Sequence, residues 1–105
     1  MKQQILDYLR DSFGLEGSDA EDLYQSYVET LNENISKFDS LLANDNFTEF
    51  TRAAHTIKGC AMNSGHQEMH LAALELEKAA KANDKALCLQ LMEPVKNIYT
   101  QLKGA

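Results

Sequence analysis

Residues 46–65, NFTEFTRAAHTIKGCAMNSG, decide the fold. Within them Phe47, Phe50, Ala54, Ile57 and Ala61 recur at spacings of three and four, which puts them on one stripe of a helix. Asn46 followed by Glu49 is an N-terminal capping pair, so the helix is expected to begin there and to run through His55 to about Asn63. His55 lies about 100° around the axis from Ala54, at the edge of the apolar stripe or outside it, and so faces water. Lys58 and Gly59, three and four residues on, are its surface neighbours. Glycine inside a helix costs about 0.8–1 kcal/mol relative to alanine. A bare backbone beside His55 offsets that cost by letting another protein come close.

Working outward, Ile5, Leu6, Leu9 and Phe13 outline a short first helix, with Gly14 at a left-handed end and residues 14–18 as a connector. Ser18 with Glu21 reads as a capping box. Tyr24, Tyr27, Val28, Leu31, Ile35, Phe38 and Leu42 then keep one helical stripe in phase and predict a single long helix, which Asn44 to Asn46 end. Ser64 with Gln67 repeats the capping pattern, and Met69, Ala72, Ala73, Leu76, Ala79 and Ala80 give the next helix a small-residue face suited to close packing. Asn83 or Asp84 caps the last helix, whose Leu87, Leu91, Val95, Ile98 and Leu102 are expected to point inward. Pro94 lies inside that stripe and predicts a bend rather than a break, because the pattern continues in phase. No segment shows the period-two alternation of strands. The expectation is an all-α fold, an antiparallel up-down-up-down four-helix bundle with a short additional N-terminal helix, in one domain spanning residues 1–105.

Composition narrows the function. Apolar residues make up 44% and charged residues 25% of the 105, and no apolar run reaches the ~20 residues of a membrane span. The first residues lack a secretory signal, so a cytoplasmic location is the default. The start at Met1 and the lack of a linker favour a free-standing module, expected to be a monomer. A net charge of −6 opposes nucleic-acid binding. Cys60 and Cys88 show no metal-type spacing and read as free thiols. His66 and His70 are four apart, but HQEMH places Gln67 where a zincin needs glutamate, and no third ligand is evident. Both are expected to be solvated or capping histidines, with no metal. No phosphate-binding loop for ATP is present, which argues against kinase activity.

A neutral, exposed imidazole is a nucleophile that a large partner can reach. If it takes a phosphoryl group it gains roughly one and a half to two negative charges, and Lys58 is placed to offset them as a flexible point charge. The alternative for His55 alone is an ordinary surface histidine beside a solvated lysine.

His55, Lys58, Gly59 and Gly65 together resemble the HxxKG…G signature of histidine-containing phosphotransfer (HPt) domains, the relay modules of two-component phosphorelays. Arg52, Ala53 and Ala54 and the run from Leu71 to Leu76 and Glu77 look like the same family. The chain departs from the pattern at Cys60, where many members have small residues, and at His66, where alanine or leucine is usual. The resemblance implies that His55 is the phosphoacceptor, Lys58 its charge partner and Gly59 the clearance position for the partner. It implies transfer between aspartates of receiver domains, on response regulators or a hybrid histidine kinase. It implies no cofactor on this chain, magnesium being supplied by the receiver. It would also bring Glu77 beside His55. There the carboxylate either fixes the imidazole tautomer or stays solvated with Lys78 or Lys81. Leu6, Leu9 and Phe13 are expected partly to cover the bundle and partly, with Met62, to form a docking surface. The competing function is a helical adaptor that binds through the same face while His55 stays unmodified.

Overall fold

Three chain reversals of one design set the antiparallel order of helices in the computed structural model, which describes residues 1–105. The elements are α1 (Lys2–Phe13), α2 (Asp19–Ile35), α3 (Phe38–Ala43), α4 (Phe47–Asn63), α5 (Gln67–Lys81) and α6 (Lys85–Lys103), with no strand. Between α3 and α4, α4 and α5, and α5 and α6 one residue adopts the left-handed conformation: Asp45 (φ 54°), Gly65 (φ 66°) and Asn83 (φ 55°). The amide after each donates back five residues, Asn46 to Leu41, His66 to Ala61 and Asp84 to Ala79, while the left-handed residue's own amide donates to Leu42, Met62 or Ala80. These are the paired bonds of a Schellman end, which satisfy carbonyls the helix leaves open. The residue after each reversal is already the N-cap of the next helix, so the connections are too short for anything but antiparallel neighbours.

Two of those caps form as the sequence predicts. Asn46 Oδ1 accepts from the Glu49 amide at 3.2 Å and Asp84 Oδ1 from the Leu87 amide at 3.1 Å. The expected Ser64–Gln67 cap does not form. Ser64 is the buried C-cap of α4, and His66 takes the N-cap position of α5 without a side-chain cap bond. The left-handed residue must precede the cap, so the cap falls after Gly65. Nor is His66 solvated, for its ring is 6% exposed and its Nδ1 lies 2.7 Å from the Tyr27 hydroxyl. Burial pushes its pKa down, which keeps it neutral.

The Ser18–Glu21 capping box is also absent. Ser18 has helical backbone angles and makes no cap bond, while Glu21 turns to Lys2 of α1 at 3.2 Å. The single long helix is divided at Ser36–Lys37 into α2 and α3. Three side chains upstream compete for backbone carbonyls: Thr30 Oγ1 donates to Ser26, Asn34 Nδ2 to Thr30 and Ser36 Oγ to Glu33. The Lys37 amide then bonds three residues back, to Asn34. Both linking residues keep right-handed helical angles, so the stripe stays in phase and Ile35, Phe38 and Leu42 all remain in the core. Phe38 stacks against Phe50 with ring centroids 4.7 Å apart.

The bundle consists of α2, α4, α5 and α6, with α3 extending α2 and α1 packed along it. Its most extensive interface joins α4 and α5, and the buried alanines of α5 on the same side as Glu77, Ala73 and Ala80, let the helix axes approach. On α6 the helix runs unbroken through Pro94, and Val95, Ile98 and Leu102 are buried as expected. Leu87 is exposed instead, and the neighbouring Cys88 fills the core position. Tyr24 of α2 ties down the end of α6 by donating its hydroxyl to the Leu102 carbonyl at 2.9 Å.

Gly65 carries two constraints at once. Its backbone is left-handed, and the Tyr8 ring of α1 packs so closely that a β-carbon would collide with it. Gly65→Ala is therefore expected to destabilise the protein by about 1–3 kcal/mol in urea unfolding. A loss smaller than that of an exposed helical substitution would mean that the Tyr8 contact is dispensable.

Candidate functional site

The site is built across the α4–α5 interface. Ala54 and Ile57 anchor the buried side of α4, and this rotation leaves the His55 ring 65% exposed. Glu77 comes from α5. It stands among the apolar positions Ala73, Leu76 and Ala80, and its side chain is only 4% exposed. A carboxylate cannot stay ionised there without partners. Its Oε2 lies 2.7 Å from His55 Nδ1 and its Oε1 accepts from Lys58 Nζ at 2.6 Å. Lys81, one turn along α5, places its ammonium 3.8 Å from Oε2.

This geometry assigns the histidine's tautomer. An ionised carboxylate only accepts hydrogen bonds, so the proton between them belongs to Nδ1, and Nε2 keeps its lone pair on the exposed side of the ring. Burial works to raise the Glu77 pKa. The hydrogen bonds from Lys58 and His55 and the charges of Lys58 and Lys81 outweigh it, so the group lies below the ordinary 4.5. The result is an exposed nucleophilic nitrogen held by a buried anion.

A family model described as Hpt domain matches residues 22–105. The chain belongs to the Hpt domain family. Hpt domains are phosphocarrier modules of two-component signalling, which is the coarse function of this chain. Comparison with curated proteins and with solved structures gives no match. Helix α1 precedes the matched segment, yet its Tyr8 closes over the corner of this Hpt domain at Gly65.

The residues singled out from the sequence are brought together. His55, Lys58 and Gly59 share the outer side of α4, and a β-carbon built on Gly59 meets no atom within 4 Å. Internal packing therefore gives no reason for glycine at this position. Met62, one further turn along, is exposed on the same ridge. Lys58 differs from expectation, because its ammonium lies on Glu77 and the side chain is only 19% exposed. Leu6 and Leu9 are core residues and contribute nothing to a docking surface, whereas Phe13 is exposed. His70 is half-buried, with Nδ1 3.4 Å from the Lys58 carbonyl, and no three histidine, cysteine or acidic side chains gather as a metal site. Cys60 and Cys88 are free thiols, and no helix is long and apolar enough to cross a membrane.

Of the two settings for Glu77, the structure shows the one facing His55. A signal for it was available, since Glu77 is four residues from Ala73 and three from Ala80, both members of the apolar stripe. An acid on that stripe calls for a buried cation or donor.

Two outcomes follow from this geometry. The folded Hpt domain holds Glu77 at a lower pKa than the unfolded chain does, so the unfolded state binds more protons and stability decreases as the solution is made more acidic. That contribution is complete above the ordinary 4.5 and is lost as pH drops through the lower folded value. In urea unfolding at a series of pH values, Glu77→Gln should flatten this acid limb and cost about 1–3 kcal/mol at neutral pH. Gly59→Ala should have the opposite sign in the same assay, gaining up to about 1 kcal/mol, because it adds helix propensity without a clash.

Proposed function

We propose that this Hpt domain is a phosphorelay intermediate, a cytoplasmic monomer in which His55 accepts a phosphoryl group from an aspartate of one receiver domain and yields it to an aspartate of another. The observation that carries this reading is the exposed His55 ring with its Nδ1 proton held by the buried Glu77. The Nε2 lone pair attacks phosphorus, the N–P bond forms as the P–O bond to the donor aspartate breaks, and that aspartate leaves as a carboxylate. The Nδ1 proton stays on the ring, so positive charge develops on the imidazole facing Glu77 Oε2 at 2.7 Å. An anion already fixed in place stabilises that charge without reorganising. Transfer to the second receiver is the same step reversed.

Lys58 supplies positive charge beside the phosphoryl group, and Gly59 leaves the ridge clear for the receiver's loops. The partners are receiver domains of response regulators, of a hybrid histidine kinase, or of both, and the receiver brings the magnesium. The chain acts as a covalent carrier, with no ATP-binding loop of its own in the sequence.

Mixing the chain with a phosphorylated receiver and mapping the label by mass spectrometry tests the assignment. The label is expected on His55, and His55→Gln should abolish it while the helical circular dichroism stays unchanged. Label persisting on another residue of that variant would refute the assignment. A native chain that binds the receiver without being labelled would be an adaptor instead.

A further inference from the structure

We propose that Lys81 is a positioning residue for phosphoryl transfer at His55: it keeps Glu77 neutralised so that Lys58 can direct its charge and spare N–H groups to the phosphoryl group. This inference rests on His55 being the acceptor. It starts from the charge at the site. With His55 neutral, Glu77 and Lys58 cancel, and an arriving phosphoryl group of roughly one and a half to two negative charges meets no surplus of positive charge from that pair. Lys58 is also committed. Its Nζ sits 2.6 Å from Oε1 of a side chain 4% exposed, and drawing it fully away would strand a buried carboxylate.

Lys81 supplies the missing charge. It lies four residues beyond Glu77 on α5, with Nζ 3.8 Å from Oε2 and a side chain 65% exposed. At that distance it contributes its field while its own N–H groups remain unengaged, and a mobile exposed lysine costs little to reposition. It also lines a groove with Phe47, Thr48 and Thr51, on the part of α4 that precedes His55. The ammonium therefore approaches the carboxylate oxygen that holds His55 from the solvent-exposed side of α5. Counting Lys81, the site carries a surplus of one positive charge before the phosphoryl group arrives. As that group bonds to Nε2, Lys58 shares itself with the phosphoryl oxygens and Lys81 closes on Oε2. Lys78 is the internal control, for it pairs with Glu75 at 3.5 Å and is equally exposed.

The test measures the transfer equilibrium between a phosphorylated receiver and His55 for the native chain, Lys81→Gln, Lys81→Arg and Lys78→Gln, with urea stability in parallel. Lys81→Gln is expected to move the equilibrium about three- to tenfold toward the receiver, an effect of the size one partly screened charge exerts. Lys81→Arg should restore it to within about twofold and Lys78→Gln should leave it unchanged, while Lys81→Gln should lower the urea midpoint only slightly, as loss of one exposed charge does, and stay fully folded under the transfer conditions. Native labelling with Lys81→Gln indistinguishable from the native chain overturns the inference and leaves the acceptor role of His55 standing. Failure of Lys81→Arg to rescue overturns it as well, because the argument requires charge alone. Absence of label on the native chain removes both.

Discussion

The Glu77 carboxylate is the constraint on which the rest of the site depends. A side chain 4% exposed stays charged only if donors meet it, and both close donors, His55 and Lys58, come from the facing helix α4. The two hydrogen bonds therefore do more than neutralise a charge. They fix the rotation of α5 against α4, choose the imidazole tautomer and set the lysine's ammonium beside the ring. Without that anion His55 would be an exposed ring free to turn.

The fold delivers Glu77 to that place through modest local devices. Schellman reversals at Asp45, Gly65 and Asn83 force neighbouring helices to run antiparallel and close together. Alanines on α5 then allow the short approach that a glutamate needs to reach across to α4. The two glycines near the site serve opposite ends. Gly65 is required by a left-handed backbone and by the Tyr8 ring against it, so it belongs to the corner that joins the two helices. Gly59 faces open space and belongs to the surface that a partner meets. Charge is divided in the same way. The chain is acidic overall, at −6, while the histidine's surroundings gather Lys58 and Lys81 about one carboxylate.

Much of the fold could be read along the chain, and the departures have local causes. The apolar stripes located the helices because burial follows the 3.6-residue period, and the stripe from Tyr24 to Leu42 stayed in phase even though side chains competing for carbonyls divide the helix at Ser36–Lys37. Caps were legible where an Asn or Asp directly follows the left-handed residue, at Asn46 and Asp84. They were misread at Ser64–Gln67 and at Ser18–Glu21, because the serine–x–x–acid or amide pattern carries no information about where the reversal falls or whether a distant lysine claims the glutamate.

Sequence by itself determined the helix positions, the surface placement of His55 and the adjacency of Lys58 and Gly59 to it, because these depend on spacing within one helix. Tertiary structure alone decided which carboxylate holds the histidine, that Lys58 is bound to that same carboxylate, and that His66 is buried on Tyr27. Those contacts link residues 22, 19 and 39 positions apart. Their geometry depends on how the helices are rotated and spaced once packed, a property that the periodicity of one segment does not encode.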